Sequence, residues 1–231
     1  MISLCGLAVS RAITWFFEHE EKGIILEDDV ICSDSYFQFA TELLNYYNDD
    51  DRIGIISANL FNSRKTTETS LSTYSFTEFP HIWGWATWRR VWEQYDYNLN
   101  RFNPLSFFLD RLCTSRSLIQ ALFWTRIFYL VKTKHIDTWD YQLTYLFFRK
   151  RLLSISPPCE SAQNLGFIEN STHDHLGTSP LQRWGNISFP LQHPTRISAN
   201  RSKDRSTFYS NFFPSPLAIF KRKLKNLILR P

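Results

Sequence analysis

Three consecutive carboxylates, Glu27-Asp28-Asp29, close the short apolar run Ile24-Ile25-Leu26. Burying charge without a partner costs several kcal/mol, so a run of acids at the end of an apolar strand asks for compensation. A divalent cation would supply it. Carboxylate oxygens suit Mg2+ or Mn2+, which take one or two protein carboxylates and complete their shell with phosphate oxygens and water. Such an ion could bridge a diphosphate and stabilise charge as the diphosphate leaves. The plainer alternative is a solvated acidic turn.

A second candidate lies far along the chain. In Asp137-Thr138-Trp139-Asp140, Thr138 can cap a helix whose N-terminus keeps the Asp140 carboxylate ionised. An ionised carboxylate there could accept the proton of an attacking hydroxyl, or it could be only a partner for the helix dipole. Asp137 reads as an N-terminal helix charge or a loop contact. A third segment, Trp83-Gly84-Trp85-Ala86-Thr87-Trp88-Arg89-Arg90, packs three tryptophans into six residues. Indole faces stack on sugar rings and the indole N–H can donate to a hydroxyl, although Trp85 and Trp88 could equally share a buried helical face. Gly84 would let backbone approach a ligand closely. Arg89 and Arg90 could contact a diphosphate or be ordinary solvated helix residues.

The elements that must hold these groups read as helix, strand, helix, strand, the rhythm of an α/β sheet with crossover helices. Val9, Ile13, Phe16 and Phe17 mark the first helix, and Gly23 stops it. Ile24–Leu26 reads as a buried parallel strand. Ser33 or Asp34 caps a helix with Phe37, Ala40, Leu44 and Tyr47 on one face, and residues 53–57 form the next strand. Residues 62–72 are a polar loop, 74–79 a strand, and a helix runs from Arg89 to Tyr95. The stretch 98–117 is weakly patterned. Further helices cover 118–132 and begin again at Thr138, carrying Tyr141, Tyr145 and Phe148; residues 152–155 are a strand ended by Pro157-Pro158.

Composition adds bounds. The 231 residues are 43% hydrophobic and 21% charged, ordinary for a globular chain with room for one good core. The aromatic share is high, with 8 Trp, 10 Tyr and 20 Phe. Much of the net charge of +4 sits at the C-terminus, so the body lacks the basic stripe of a nucleic-acid binder. The four cysteines are widely spaced with no C-x-x-C pair, a pattern of reduced thiols in a cytoplasmic protein. The sequons at Asn170, Asn186 and Asn200 are read as coincidence, and no stretch approaches the ~20 apolar residues of a membrane span.

These segments carry a resemblance. Gly23-Ile24-Ile25-Leu26-Glu27-Asp28-Asp29 resembles the metal-site strand of GT-A glycosyltransferases, in the form found in N-acetylglucosaminyltransferase I and in bacterial nucleotide-diphospho-sugar transferases (family 2-like). The Trp83–Arg90 and Asp137–Gln142 segments are similar to the bacterial group, as is Asn164-Leu165-Gly166-Phe167 with Ser171-Thr172-His173. The resemblance runs from Leu4 to roughly Pro194. It implies an α/β GT-A fold, with a mostly parallel sheet flanked by helices, shortened at the N-terminus by the nucleotide-binding strands that precede this motif in the family.

The resemblance further implies a catalytic domain over 1–200 and a basic tail over 201–231. The implied reaction is metal-dependent transfer of a sugar, with inversion, from a nucleotide-sugar donor to a glycan or lipid-linked hydroxyl. Asp29 would bind Mn2+ or Mg2+ with His173. Glu27, Asp28 and Arg89 would face the donor, while Trp83, Gly84, Trp85 and Trp139 would face the acceptor. Asp140 would be the base. The tail from Lys221 to Arg230 could touch an anionic membrane surface. The rival readings are a metal-dependent phosphohydrolase using the same acids and an inactive relative serving as a binding protein.

Overall fold

The computed structural model describes residues 5–60, 73–165 and 185–213. A mixed five-stranded sheet in the order β1-β5-β3-β6-β4 forms its centre, and a two-stranded ribbon pairs β2 with β7. The strands are β1 (Lys22–Ile25), β2 (Val30–Cys32), β3 (Ile53–Ser57), β4 (Ser75–Thr77), β5 (Trp85–Trp88), β6 (Leu153–Ser156) and β7 (Ala162–Asn164). The helices are α1 (Cys5–His19), α2 (Asp34–Tyr46), α3 (Arg89–Trp92), α4 (Pro104–Ser115), α5 (Leu118–Lys132), α6 (Asp140–Lys150) and α7 (Arg201–Thr207), the last running into a π-helical turn, Phe208–Phe212.

The sheet corrects the expectation of a mostly parallel one. Only β3 and β6 pair in parallel; β1 with β5, β5 with β3, and β4 with β6 are antiparallel. β5 is the reason. It enters between β1 and β3 and runs opposite to both, so β1 and β3, which share a direction, never touch. β1, with one neighbour, is a half-buried edge, whereas β3 is buried throughout. The apolar run of β1 therefore reflects packing under α1, where Phe16 lies against Gly23.

Helix α2 turns Tyr36, Phe39, Ala40, Leu43 and Leu44 inward and leaves Phe37 exposed. Ala40, Leu44 and Tyr47 of the expected face are buried, and of that set Phe37 alone is exposed. The weakly patterned stretch contains α4, which begins where Asn103 accepts a hydrogen bond from the Ser106 N–H ahead of Pro104, a standard start signal. Residues 201–213 belong to the packed body and not to a tail. Asp204 of α7 is buried and accepts hydrogen bonds from the Thr77 hydroxyl and the Glu78 N–H, and Phe208 is fully buried. The Asn200 of the third sequon caps α7 through the N–H groups of Ser202 and Lys203.

Candidate functional site

β1, β3 and β6 run in one direction and β5 in the other, so one rim of the sheet gathers the residues after β1, β3 and β6 with those before β5. Ligands bind at such a carboxyl-end rim in open α/β sheets. Leu26 leaves β1, and residues 27–30 turn sharply, with the Val30 N–H donating to the Glu27 carbonyl. The ribbon pins the turn from the far side, where the Leu165 N–H donates to the Asp29 carbonyl at 2.7 Å. Asp28 points to solvent, while Glu27 and Asp29 are half-buried. Oδ1 of Asp29 is buried without a hydrogen-bond partner.

Glu27 ties the cluster to the second candidate. Its pKa lies above the ordinary carboxylate value, first because burial penalises the charge, then because Asp29, Asp140 and Asp28 all repel it. Asp140, more than a hundred positions away in sequence, thus shares the electrostatic environment of the acidic turn. It is the first residue of α6, where the helix dipole favours its charge. Thr138 does not cap the helix; Trp139 occupies that position with no side-chain bond, and the Thr138 hydroxyl donates to the Asp140 carboxylate instead. Asp137 accepts from the Tyr97 hydroxyl at 3.2 Å, a loop contact.

The tryptophans serve mainly as a foundation. Trp85 and Trp139 are 1% and 7% exposed, with rings stacked 5.9 Å apart, and Trp92 packs against both. The Tyr95 hydroxyl donates to the Trp139 carbonyl at 2.9 Å. Two of the expected acceptor residues therefore lie in the core, holding the start of α6 against β5. The Trp85 indole N–H is buried without a hydrogen-bond partner. Trp83 is half-buried at the rim, and Gly84 beside it has φ +68°, its carbonyl accepting from the Ala58 N–H. A Cβ there would lie 2.6 Å from Cys32 Sγ, so the position needs glycine on two counts.

Arg89 does not join the site. It follows β5 at the opposite end, about 13 Å of strand from Trp85, where it pairs with Glu21 at 2.8 Å and donates to the Glu20 carbonyl. Arg90 is at that end too, donating to the carbonyls of Tyr47, Asn48, Asp50 and Ile53 and stacking on Trp88. His173 and the basic stretch 221–230 lie outside the described residues.

One rim residue escaped the sequence reading. Glu160 follows β6, and its carboxylate accepts from the Leu60 N–H, in the segment after β3, at 3.1 and 3.3 Å. Burial pushes its pKa up to about 7, against the opposing pull of the Leu60 and Ala162 N–H groups. Neighbouring Asn59 is buried, with a side-chain oxygen that has no partner. The strand-ending Pro157-Pro158 located the rim; nothing local signalled that β3 would bury this acid.

The fit to a divalent ion rests on Asp29. Its partnerless buried oxygen, backed by Glu27, is the kind of acceptor a hard cation satisfies. Among the described residues no group of three metal-binding side chains is assembled, so a cation here would draw its remaining ligands from diphosphate oxygens and water. All four cysteines are free thiols. No protein-family model matches this chain, and no curated protein is similar to it at a significant level.

Proposed function

We propose that this protein is a metal-dependent glycosyltransferase, moving a sugar from a nucleoside diphosphate sugar to a hydroxyl of a glycan or lipid-linked acceptor with inversion. The observation that carries the reading is the shared field of Glu27 and Asp140. The acid turn that follows β1 is coupled electrostatically to a carboxylate at a helix N-terminus, and the turn lies at the rim where buried Gly84 leads into β5.

Asp29 would hold Mn2+ or Mg2+, and the ion would supply charge neutralisation for the departing diphosphate. Glu27 faces the donor sugar and Asp28 the ribose or the water around the ion. Asp140 takes the proton of the acceptor hydroxyl as its oxygen bonds to the anomeric carbon, and the bond from that carbon to the diphosphate breaks. The Thr138 hydroxyl and the aromatic stack beneath Trp139 fix the direction of the base. Trp83 and the Gly84 backbone border the acceptor side.

Calorimetric titration with a panel of nucleotide sugars, with and without Mn2+, tests this. Metal-dependent binding is expected, lost in Asp29→Ala and retained in Asp140→Asn, which instead slows transfer by roughly 10²–10⁴-fold. Metal-independent binding, or none by correctly folded protein, overturns the reading. Release of free sugar or phosphate at full rate without any acceptor favours a hydrolase.

A further inference from the structure

Helices α4 and α5 form an antiparallel hairpin joined by Arg116 and Ser117, and their outer face is apolar. Leu105 and Leu109 of α4, with Leu118, Ile119, Leu122 and Tyr129 of α5, are each between 45% and 69% exposed. Helix α5, LIQALFWTRIFYLVK, is apolar nearly all round. A helix of that kind belongs in a core or in contact with lipid. Its inner side is in a core, where Trp124, Phe128 and Val131 are buried against Phe102 and Phe107. Its outer side is not.

Charge identifies what would cover that side. Exposed Arg116 stands at the tip of the hairpin, Arg126 midway along α5 and Arg101 at the base, where the Lys132 ammonium is turned instead to the carbonyls of Leu99 and Phe102. The exposed acid of this segment, Asp110, lies 3.4 Å from Arg151. Leucines flanked by long cationic side chains at both ends and the middle match a surface that offers hydrocarbon beneath a layer of negative headgroups. A second copy of the chain is a poorer match, since a two-fold pairing of this face would set cations against cations. Neither helix is long and apolar enough to cross a bilayer, so the hairpin would lie in the interface.

We propose that the outer face of the α4–α5 hairpin is a docking surface for an anionic phospholipid membrane. The surface is independent of the transfer chemistry assigned to the sheet rim, so either can fail alone. It also differs from the basic stretch at 221–230.

The test is co-sedimentation of the full chain with vesicles of phosphatidylcholine alone or mixed with phosphatidylglycerol, at low and high salt. Binding to the mixed vesicles is expected, weakening as salt rises. Leu109→Glu with Leu122→Glu, both at exposed positions, should weaken it roughly tenfold or more. Arg116→Glu with Arg126→Glu should do the same and flatten the salt dependence. Unchanged circular dichroism and melting of the variants would confirm that folding is intact. A charge-reversed tail, Lys221→Glu with Arg222→Glu and Lys223→Glu, should keep most of the binding.

The proposal is overturned by absence of vesicle binding, or by binding that the tail variant loses and the leucine variant keeps. It is also overturned if the leucine variant dissolves a dimer, or loses an acidic protein partner, in a chain that ignores vesicles.

Discussion

At the residue scale, the two acids that matter most differ in what their neighbours do to them. Asp29 has a buried oxygen with no partner, which costs about 1–3 kcal/mol unless something satisfies it. Asp29→Asn retains the shape and removes the charge. The apo variant should therefore be as stable as the parent or more so, and Mn2+ should raise the melting temperature of the parent alone. Scanning calorimetry with and without the ion reads both.

Asp204 is the second residue whose charge is costly. Burial, then repulsion from Glu78, pushes its pKa up to about 7, with Thr77, the Glu78 N–H and Arg111 pulling the other way. The folded state thus prefers the protonated acid. Its contribution is fully present below the ordinary aspartate range near 4 and is lost as pH rises through about 7. The loss is at most about 4 kcal/mol. Denaturant melts between pH 4 and 8 should show stability falling less steeply with pH in Asp204→Asn than in the parent.

At the scale of elements, the site depends on how β5 begins and how α6 is anchored. Gly84→Ala puts a Cβ against Cys32 Sγ in a backbone conformation that side chains resist, at a cost of about 1–3 kcal/mol. It should lower the urea midpoint and, by moving the rim, weaken acceptor use more than donor binding.

The helical half has its own anchor. Arg111, 2% exposed, grips both oxygens of Glu78, donates to Gln120 and lies 3.9 Å over the Phe148 ring. It thereby joins α4, α5, α6 and the segment after β4. Arg111→Ala leaves Glu78 facing Asp204 without its cation, and about 3–5 kcal/mol of stability should disappear in equilibrium unfolding.

At the scale of the whole molecule, the site is a consequence of topology. Glu27, Trp83, Asn59 and Glu160 come from four separate stretches of chain. They share a rim because β1, β3 and β6 run one way while β5 runs the other. The same reversal sends Arg89 to the opposite rim, as strand direction decides which end of a segment faces the ligand. Arg89→Ala should therefore leave nucleotide-sugar affinity within about twofold of the parent and cost at most about 1 kcal/mol of stability, the worth of a solvent-facing ion pair. A tenfold loss of affinity would place the donor elsewhere.

The sequence by itself determined what local chemistry controls. Helices α1, α2, α5 and α6 follow from apolar spacing, with a side-chain cap formed at α5 by Ser117 but not by Ser33 at α2 or Thr138 at α6; β3 and β6 follow from short apolar runs, and the acid turn from three charges that an apolar strand end cannot bury cheaply. The meeting of Asp140 with Glu27, the burial of Trp85 and Trp139 as supports, the antiparallel insertion of β5 and the elevated pKa of Glu160 were decided by tertiary structure alone. Each depends on which distant segment lies alongside. Burial and long-range repulsion arise between elements, whereas periodicity and capping arise within one.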